Sequence, residues 1–540
     1  MRIRYFKLLW LVCSLLPFAY SCSNKTAATE NLLSYFIGKQ EEAVVEINKE
    51  VNLATWNTYI GKSRFDTLQQ IYSGLLRKGS ALCEFKSQTD RLFSDCSDYE
   101  FLHRLYHSGI IKDKLLKRQS KVLYFMYRDK KAGLDSLEMA KSQIMKLYFD
   151  VRQYDHYPKG WRNDEAVFSG YQRKIAMVHQ QMHHFLNQCN QFAQSIGYAN
   201  YFGYLLARHE IDENKHLDYI NRIDSVTRHD YKKLKKGADD YLCRQFDKET
   251  DELSVFHYNY FFASLRNPSG WQSNYHDRHE FISSVTGYYK CFGMDVSNLI
   301  DPRWVSNDSC CLKQALACNI DSYHDVRFYY NGRYDFSGML NCIHELAHGF
   351  CYSSISDSVP YFLREPGLIL NESVAIFMEN QIFRSQKARK AIGVTATSGA
   401  FIDEQVANPW LLFLIRNFLV MAEVEREMFL NPDQNLSALF WTKVEKYLFL
   451  EVSEEQKHDE WIKNAPLLMM DGSYQAYLYA VMLAAQYAHC QDRQPDFWTC
   501  FTNRYLSQGN SSSWQTHAGA FCKEGIDPSY LPHFYMPQAK

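Results

Sequence analysis

The stretch NCIHELAHGF, residues 341–350, constrains this chain more than any other, because it sets two histidines four positions apart with a glutamate directly after the first. On an α-helix of 3.6 residues per turn, His344 and His348 project from one face, one turn apart. Both imidazoles can then reach a single ion at about 2.0–2.1 Å. Glu345 lies about 100° round the helix, where it can touch a water beside the metal rather than the metal itself. That is the division of labour of a zinc hydrolase; the plain alternative is two ordinary histidines on a helix face.

A catalytic zinc needs a third protein ligand and an open position. Downstream, Pro366 and Gly367 break the chain, and LNESVAIFMENQIF then resumes a helical pattern with Glu372 in its first turn. Val374, Ile376 and Phe377 surround that glutamate. A carboxylate in such company is usually paired or metal-bound, since burying it bare is costly; the alternative is a solvated acid favoured by the helix dipole. The expected site is therefore His344, His348 and Glu372 holding one zinc per chain, with Glu345 as general base. Cys342 lies two residues before His344 and points to another face. His179 and His183, in HQQMHH, repeat the four-residue spacing without an adjacent glutamate, and surface histidines on a helix account for them.

HELAH, the run FLREPGLILNES and the interval from His348 to Glu372 resemble the active-site segment of the angiotensin-converting enzyme family of zinc peptidases. In that family the third ligand follows at the same interval, after a similar LRE stretch. Three more segments agree in order: NLATWNTYI (52–60), DVRF (325–328) and GSYQAYLYAVMLAAQYAHC (472–490). The resemblance implies a large helical fold with its site deep in a cleft between two helical halves, and release of dipeptides from carboxyl ends. It implies Tyr477 as the donor to the oxyanion, with Tyr479 a lesser candidate, and Tyr474 near the substrate's carboxyl end. It also implies a disulfide between Cys490 and Cys500. The chain departs from the family in four places. KQALACNIDS and KNAPLLMMDG lack the family's substrate-binding histidines, Ala476 replaces an arginine tied to chloride, and Ile376 replaces the aspartate that steadies the first zinc histidine. Glu379, seven residues after Glu372 on the same helix face, can offer that support instead.

Composition permits this architecture. A chain of 540 residues, 46% hydrophobic, can bury a large core. Apolar residues recur at helical spacing, as in Val44, Ile47, Val51 and Ala54 and through residues 174–206, whereas strand-like alternation is scarce and best seen in DVRFYY. A mainly α fold follows, with residues 22–540 as one metallopeptidase domain. The net charge of −1, without a long basic run, gives no case for nucleic acid. Residues 1–21 read as an export signal, with Arg2, Arg4 and Lys7 before a short apolar core. The segment resembles a bacterial lipoprotein signal cleaved before Cys22, so an exported protein held to a membrane by a lipid anchor alone is expected; release as a soluble protein is the alternative. Of fifteen cysteines, Cys13 leaves with the signal and Cys22 is the anchor, so an odd number remains and at least one stays free or pairs between chains. The expected partners are peptides. The activity is that of a zinc peptidase cutting short peptides; an endo-acting oligopeptidase and a non-catalytic peptide-binding lipoprotein are the alternatives.

Overall fold

A computed structural model of the chain describes most of residues 25–536; residues 1–24, 57–95, 155–164, 266–274, 308–313 and 394–407, with some shorter stretches, fall outside the description. The expected leader and anchor at Cys22 lie outside the described residues. The described chain is mainly helical with three short strands, as the periodicity predicts. Among the described residues no helix is long and apolar enough to cross a membrane.

The elements that position the site are α1 (Glu165–Ser195), α2 (Tyr201–Arg208), α3 (Glu213–Phe246), α4 (Arg278–Lys290), β1 (Val305–Ser306), β2 (Gln314–Asp321), β3 (Asp325–Asn331), α5 (Phe336–Ser353), α6 (Leu368–Arg384), α7 (Pro409–Leu430) and α8 (Ser473–Gln491). One continuous apolar core joins residues from all eight helices. Its centre is α8. The sequence AYLYAVMLAAQYA is apolar all round rather than along one stripe, which marks an interior helix, and from Ser473 to Ala488 Tyr477 alone is not fully buried. Each of Leu478, Val481, Met482 and Leu483 contributes about 1.5–3 kcal/mol of burial. Ala476, Ala480 and Ala484 form a stripe of small side chains that lets neighbouring helices approach, and α6 and α7 pack against this helix. Polar pairs fix its register on α6: Gln381 and Gln491 exchange amide hydrogen bonds at 3.1 Å, and the Tyr487 and Ser373 hydroxyls meet at 3.0 Å.

Two adjacent tyrosines of α4 reach into α5 and α6. Tyr289 donates to the carbonyl of Ile343 in α5, and Tyr288 donates to the carbonyl of Met378 in α6. The accepting carbonyls directly precede His344 and Glu379.

The sheet runs in the order β1-β3-β2, with β1 parallel and β2 antiparallel to β3, so β2 is an edge strand lying beside α5. Asp335 caps α5 by accepting from the Gly338 amide at 2.9 Å. Only glycine fits at 338: a Cβ there would stand 2.1 Å from both the Arg333 carbonyl and the Tyr330 hydroxyl. Gly338→Ala should therefore cost about 1–3 kcal/mol, because the backbone oxygen cannot yield as a flexible side chain could. Thermal unfolding should show a midpoint lowered by several degrees; an unchanged midpoint would mean the start of α5 is not packed this way.

Candidate active site

Helical spacing places His344 and His348 on one face of α5, and the packing of α6 beside α5 brings Glu372 against them. The Nε2 atoms of the two histidines are 3.2 Å apart. Glu372 Oε2 is 3.6 Å from His344 Nε2, and its Oε1 is 3.8 Å from His348 Nε2. One donor atom from each residue thus lies within 4.8 Å of the others.

The support of these donors comes from the same helices. Glu379, two turns along α6 from Glu372, lies 3.2 Å from His344 Nδ1, so the imidazole is held between two carboxylates, one at each nitrogen. Ile376, where the resembled family has an aspartate, leaves that position apolar. Asn371 lies beside His348, and its side-chain amide donates to the Tyr352 hydroxyl at 2.9 Å.

Electrostatics separate the two histidines. Burial works against charge on His344, but the Glu379 hydrogen bond and the charges of Glu372, Glu379 and Glu345 prevail and push it up to about 9. Burial and the charge of His344 push His348 down to about 4. Burial also raises Glu372 despite the attraction of His344, with Glu379 adding to the rise. The geometry sets three acidic side chains against two imidazoles in a partly buried place. Two converging imidazole nitrogens and a carboxylate, each backed by a polar neighbour, fit a divalent metal ion, which would restore the balance.

Glu345 stands outside the donor set. Its Oε2 accepts from the backbone amide of Ala317, 3.1 Å away in β2. That amide points to Glu345 rather than to β3, so the free edge of β2 faces the site. The strand falls in the KQALACNIDS stretch, whose own composition marks it weakly, since apolar and polar residues alternate only from Cys318 to Asp321.

The three tyrosines of α8 have different surroundings. Tyr474 is buried and donates to the Asn464 side chain at 2.7 Å. The Tyr479 hydroxyl meets His216 Nδ1 at 3.2 Å, with its ring against Trp514. Tyr477 is half-buried and stacks on Phe418 at 5.3 Å, and no described residue hydrogen-bonds its hydroxyl. Burial and the nearby charge of Glu372 hold that phenol far above its ordinary value, so it keeps its proton.

Other expected contacts resolve differently. Cys490 and Cys500, paired by the resemblance, are both free thiols. Cys490 is buried at the end of α8 against the Cys522 thiol, whereas Cys500 donates to the Asp496 carboxylate at 3.1 Å. His179 binds Asp459 at 2.8 Å and His183 binds Asp433 at 2.6 Å, each histidine with its own carboxylate.

A cleft with two lobes, of about 650 and 720 Å³, adjoins the segment leading into α6. Arg208, His209, Gly367 and Leu368 line both lobes; Asn319, Glu365 and Asp471 line the second. Glu365 is exposed to the cleft and accepts a 3.0 Å hydrogen bond from the Asn319 side chain. Sequence reasoning did not single out Glu365 or Arg208. Glu365 lies inside the FLREPG run and was within reach of it, but no local pattern marks Arg208.

No protein-family model and no curated protein sequence matches the chain. Solved structures do. A carboxypeptidase from Deinococcus radiodurans is 11% identical, with 93% of this chain and 97% of that chain covered and a TM-score of 0.65. The carboxypeptidase of Pyrococcus furiosus is 14% identical, with 93% and 98% covered and a TM-score of 0.65. A protein assigned as oligoendopeptidase F is 12% identical, with 92% and 94% covered and a TM-score of 0.57. At such identity the likeness is one of fold: this chain has the large helical fold of those peptidases.

Glu379→Gln should weaken zinc binding by about 10–100-fold, because it removes the carboxylate that orients His344 and strengthens it as a donor. Competition against a chelating dye measures this; unchanged affinity would show that His344 is oriented by something else.

Proposed function

We propose that this chain is a zinc metallopeptidase that hydrolyses short peptides and releases dipeptides from their carboxyl ends. One observation carries the proposal: Glu345 stands beside the converging His344, His348 and Glu372 donors, tied to an edge strand whose free side faces the same place. The solved carboxypeptidases of the same fold support it. The finer kinship to the angiotensin-converting enzyme family rests on HELAH, FLREPGLILNES, DVRF and the tyrosine-bearing α8 occurring in that order.

Zinc held by His344, His348 and Glu372 would supply Lewis acidity toward a peptide carbonyl and toward water. The remaining work falls to the chain. An extended peptide adds to the free edge of β2 through main-chain hydrogen bonds. Glu345 accepts the proton of the attacking water on its carboxylate and passes it to the leaving amine. Tyr477, its hydroxyl unengaged and kept protonated, donates to the oxyanion that develops at the carbonyl. The Tyr474 ring lies 5.7 Å from that of Tyr477, and its anchored hydroxyl makes it a wall of the groove rather than a donor.

A second reading, an endo-acting oligopeptidase, is favoured by the fold shared with the oligoendopeptidase F structure. Mass spectrometry of fragments from peptides with free and amidated ends separates the two. Glu345→Gln should retain zinc and lose about a hundredfold or more in kcat. Tyr477→Phe should lose about a hundredfold in kcat with a smaller change in KM, since the hydroxyl acts in the transition state. Full activity in the first variant would refute the peptidase assignment, and full activity in the second would move the oxyanion role elsewhere.

The proposal extends to location: the protein is exported and anchored through a lipid on Cys22. Expressed in a Gram-negative host, it should incorporate labelled fatty acid, and Cys22→Ser should abolish the label. An unlabelled wild-type protein would favour ordinary signal cleavage.

A further inference from the structure

The cations lining the cleft are mostly engaged. Lys49 pairs with Asp321, Arg118 and Lys121 with Glu210, and Arg128 with Asp129, while Arg364 donates to the carbonyls of Val359 and Asp357. Arg208 differs. It ends α2 at the junction of the two lobes, exposed to solvent, and among the described residues it makes no hydrogen bond or ion pair.

The acids nearest to it in electrostatic range, Asp129 and Asp471, are committed elsewhere. Asp129 accepts from the Tyr204 hydroxyl and pairs with Arg128, and Asp471 accepts from the Ser473 amide. The backbone beside Arg208 is fastened all the same. His209 Nε2 bonds the Asp471 carbonyl at 2.7 Å, and Trp514 Nε1 donates to the His209 carbonyl at 3.0 Å. A guanidinium on a pinned backbone, in a cleft and without a partner, has its planar donor fork unused. That fork matches a carboxylate.

The lobe that Arg208 shares with Asn319 and Glu365 continues the line of β2 beyond Ala317 toward Asp321. A peptide pairing antiparallel with β2, the slightly more stable arrangement, would run from the Asp321 end toward Gln314. Residues on the amino side of the cut bond would then occupy this lobe.

We propose that Arg208 is the receptor for a carboxylate carried by the peptide substrate, and that an acidic side chain on the amino side of the cut bond supplies it. The proposal rests on the peptidase assignment and sets its substrate preference.

Binding separates this proposal from the chemistry. Zinc-loaded Glu345→Gln protein is titrated calorimetrically with three hexapeptides: amidated and neutral, amidated with one glutamate near the amino end, and neutral with a free carboxyl end. The glutamate peptide should bind about tenfold or more tighter than the neutral amide, as a charge-assisted pair provides. Adding Arg208→Gln should erase that preference, and adding Arg208→Lys should restore part of it, while thermal unfolding stays unchanged because Arg208 bonds to no other described residue. If the free-acid peptide alone is preferred and Arg208→Gln erases that preference, the carboxylate comes from the chain end and the side-chain assignment is overturned. A glutamate preference that survives Arg208→Gln, or no glutamate preference in the parent protein, would likewise overturn the proposal. Failure of all three peptides to bind would overturn the peptidase assignment and this proposal with it.

Discussion

Three acidic side chains crowd two imidazoles in a small, partly buried space, and the rest of the structure is arranged around tolerating them. Glu345, Glu372 and Glu379 all act on His344, with Glu372 and Glu379 at its two ring nitrogens. Isolated buried carboxylates would cost more than a domain's marginal stability can absorb. The chain meets the cost with geometry. Glu372 and Glu379 stand on one face of α6 and hold the two nitrogens of a single imidazole, and a divalent ion can take the place of the missing positive charge.

Such an arrangement must be held by helices that cannot slide. The apolar circumference of α8 makes it the axis against which α6 packs, and the Gln381–Gln491 and Ser373–Tyr487 pairs stop slippage along it. Tyr288 and Tyr289 reach from α4 to the carbonyls just ahead of Glu379 and His344. These are buried, satisfied hydrogen bonds of the kind that specify one packing out of several apolar alternatives. The same axis brings Tyr477 near Glu372. That tyrosine is the single incompletely buried residue between Ser473 and Ala488, and its two tyrosine neighbours have their hydroxyls bound elsewhere.

What the sequence revealed tracks how local the physics is. The helical architecture was legible because 3.6-residue periodicity is a local property. His344, Glu345 and His348 were legible for the same reason, and Glu372 because it stands among apolar residues that would otherwise leave it bare. Glu379 could be nominated from its two-turn offset alone. Contacts made across the fold were not legible. The hydrogen bond from Ala317 to Glu345 joins a weakly patterned strand to a helix, and the neighbour of the Cys490 thiol is Cys522 of a later helix rather than Cys500. Arg208 acquires meaning only when α2 is folded against the segment before α6.

The central claim is a metal centre of two imidazole nitrogens and carboxylate oxygen on α5 and α6. X-ray absorption at the zinc edge of the loaded protein reads its donor set directly. The account predicts two nitrogen scatterers at about 2.0–2.1 Å, oxygen at about 2.0–2.2 Å and no sulfur, with one imidazole lost in His344→Ala. A sulfur scatterer near 2.3 Å, or a spectrum that His344→Ala leaves unchanged, would contradict it.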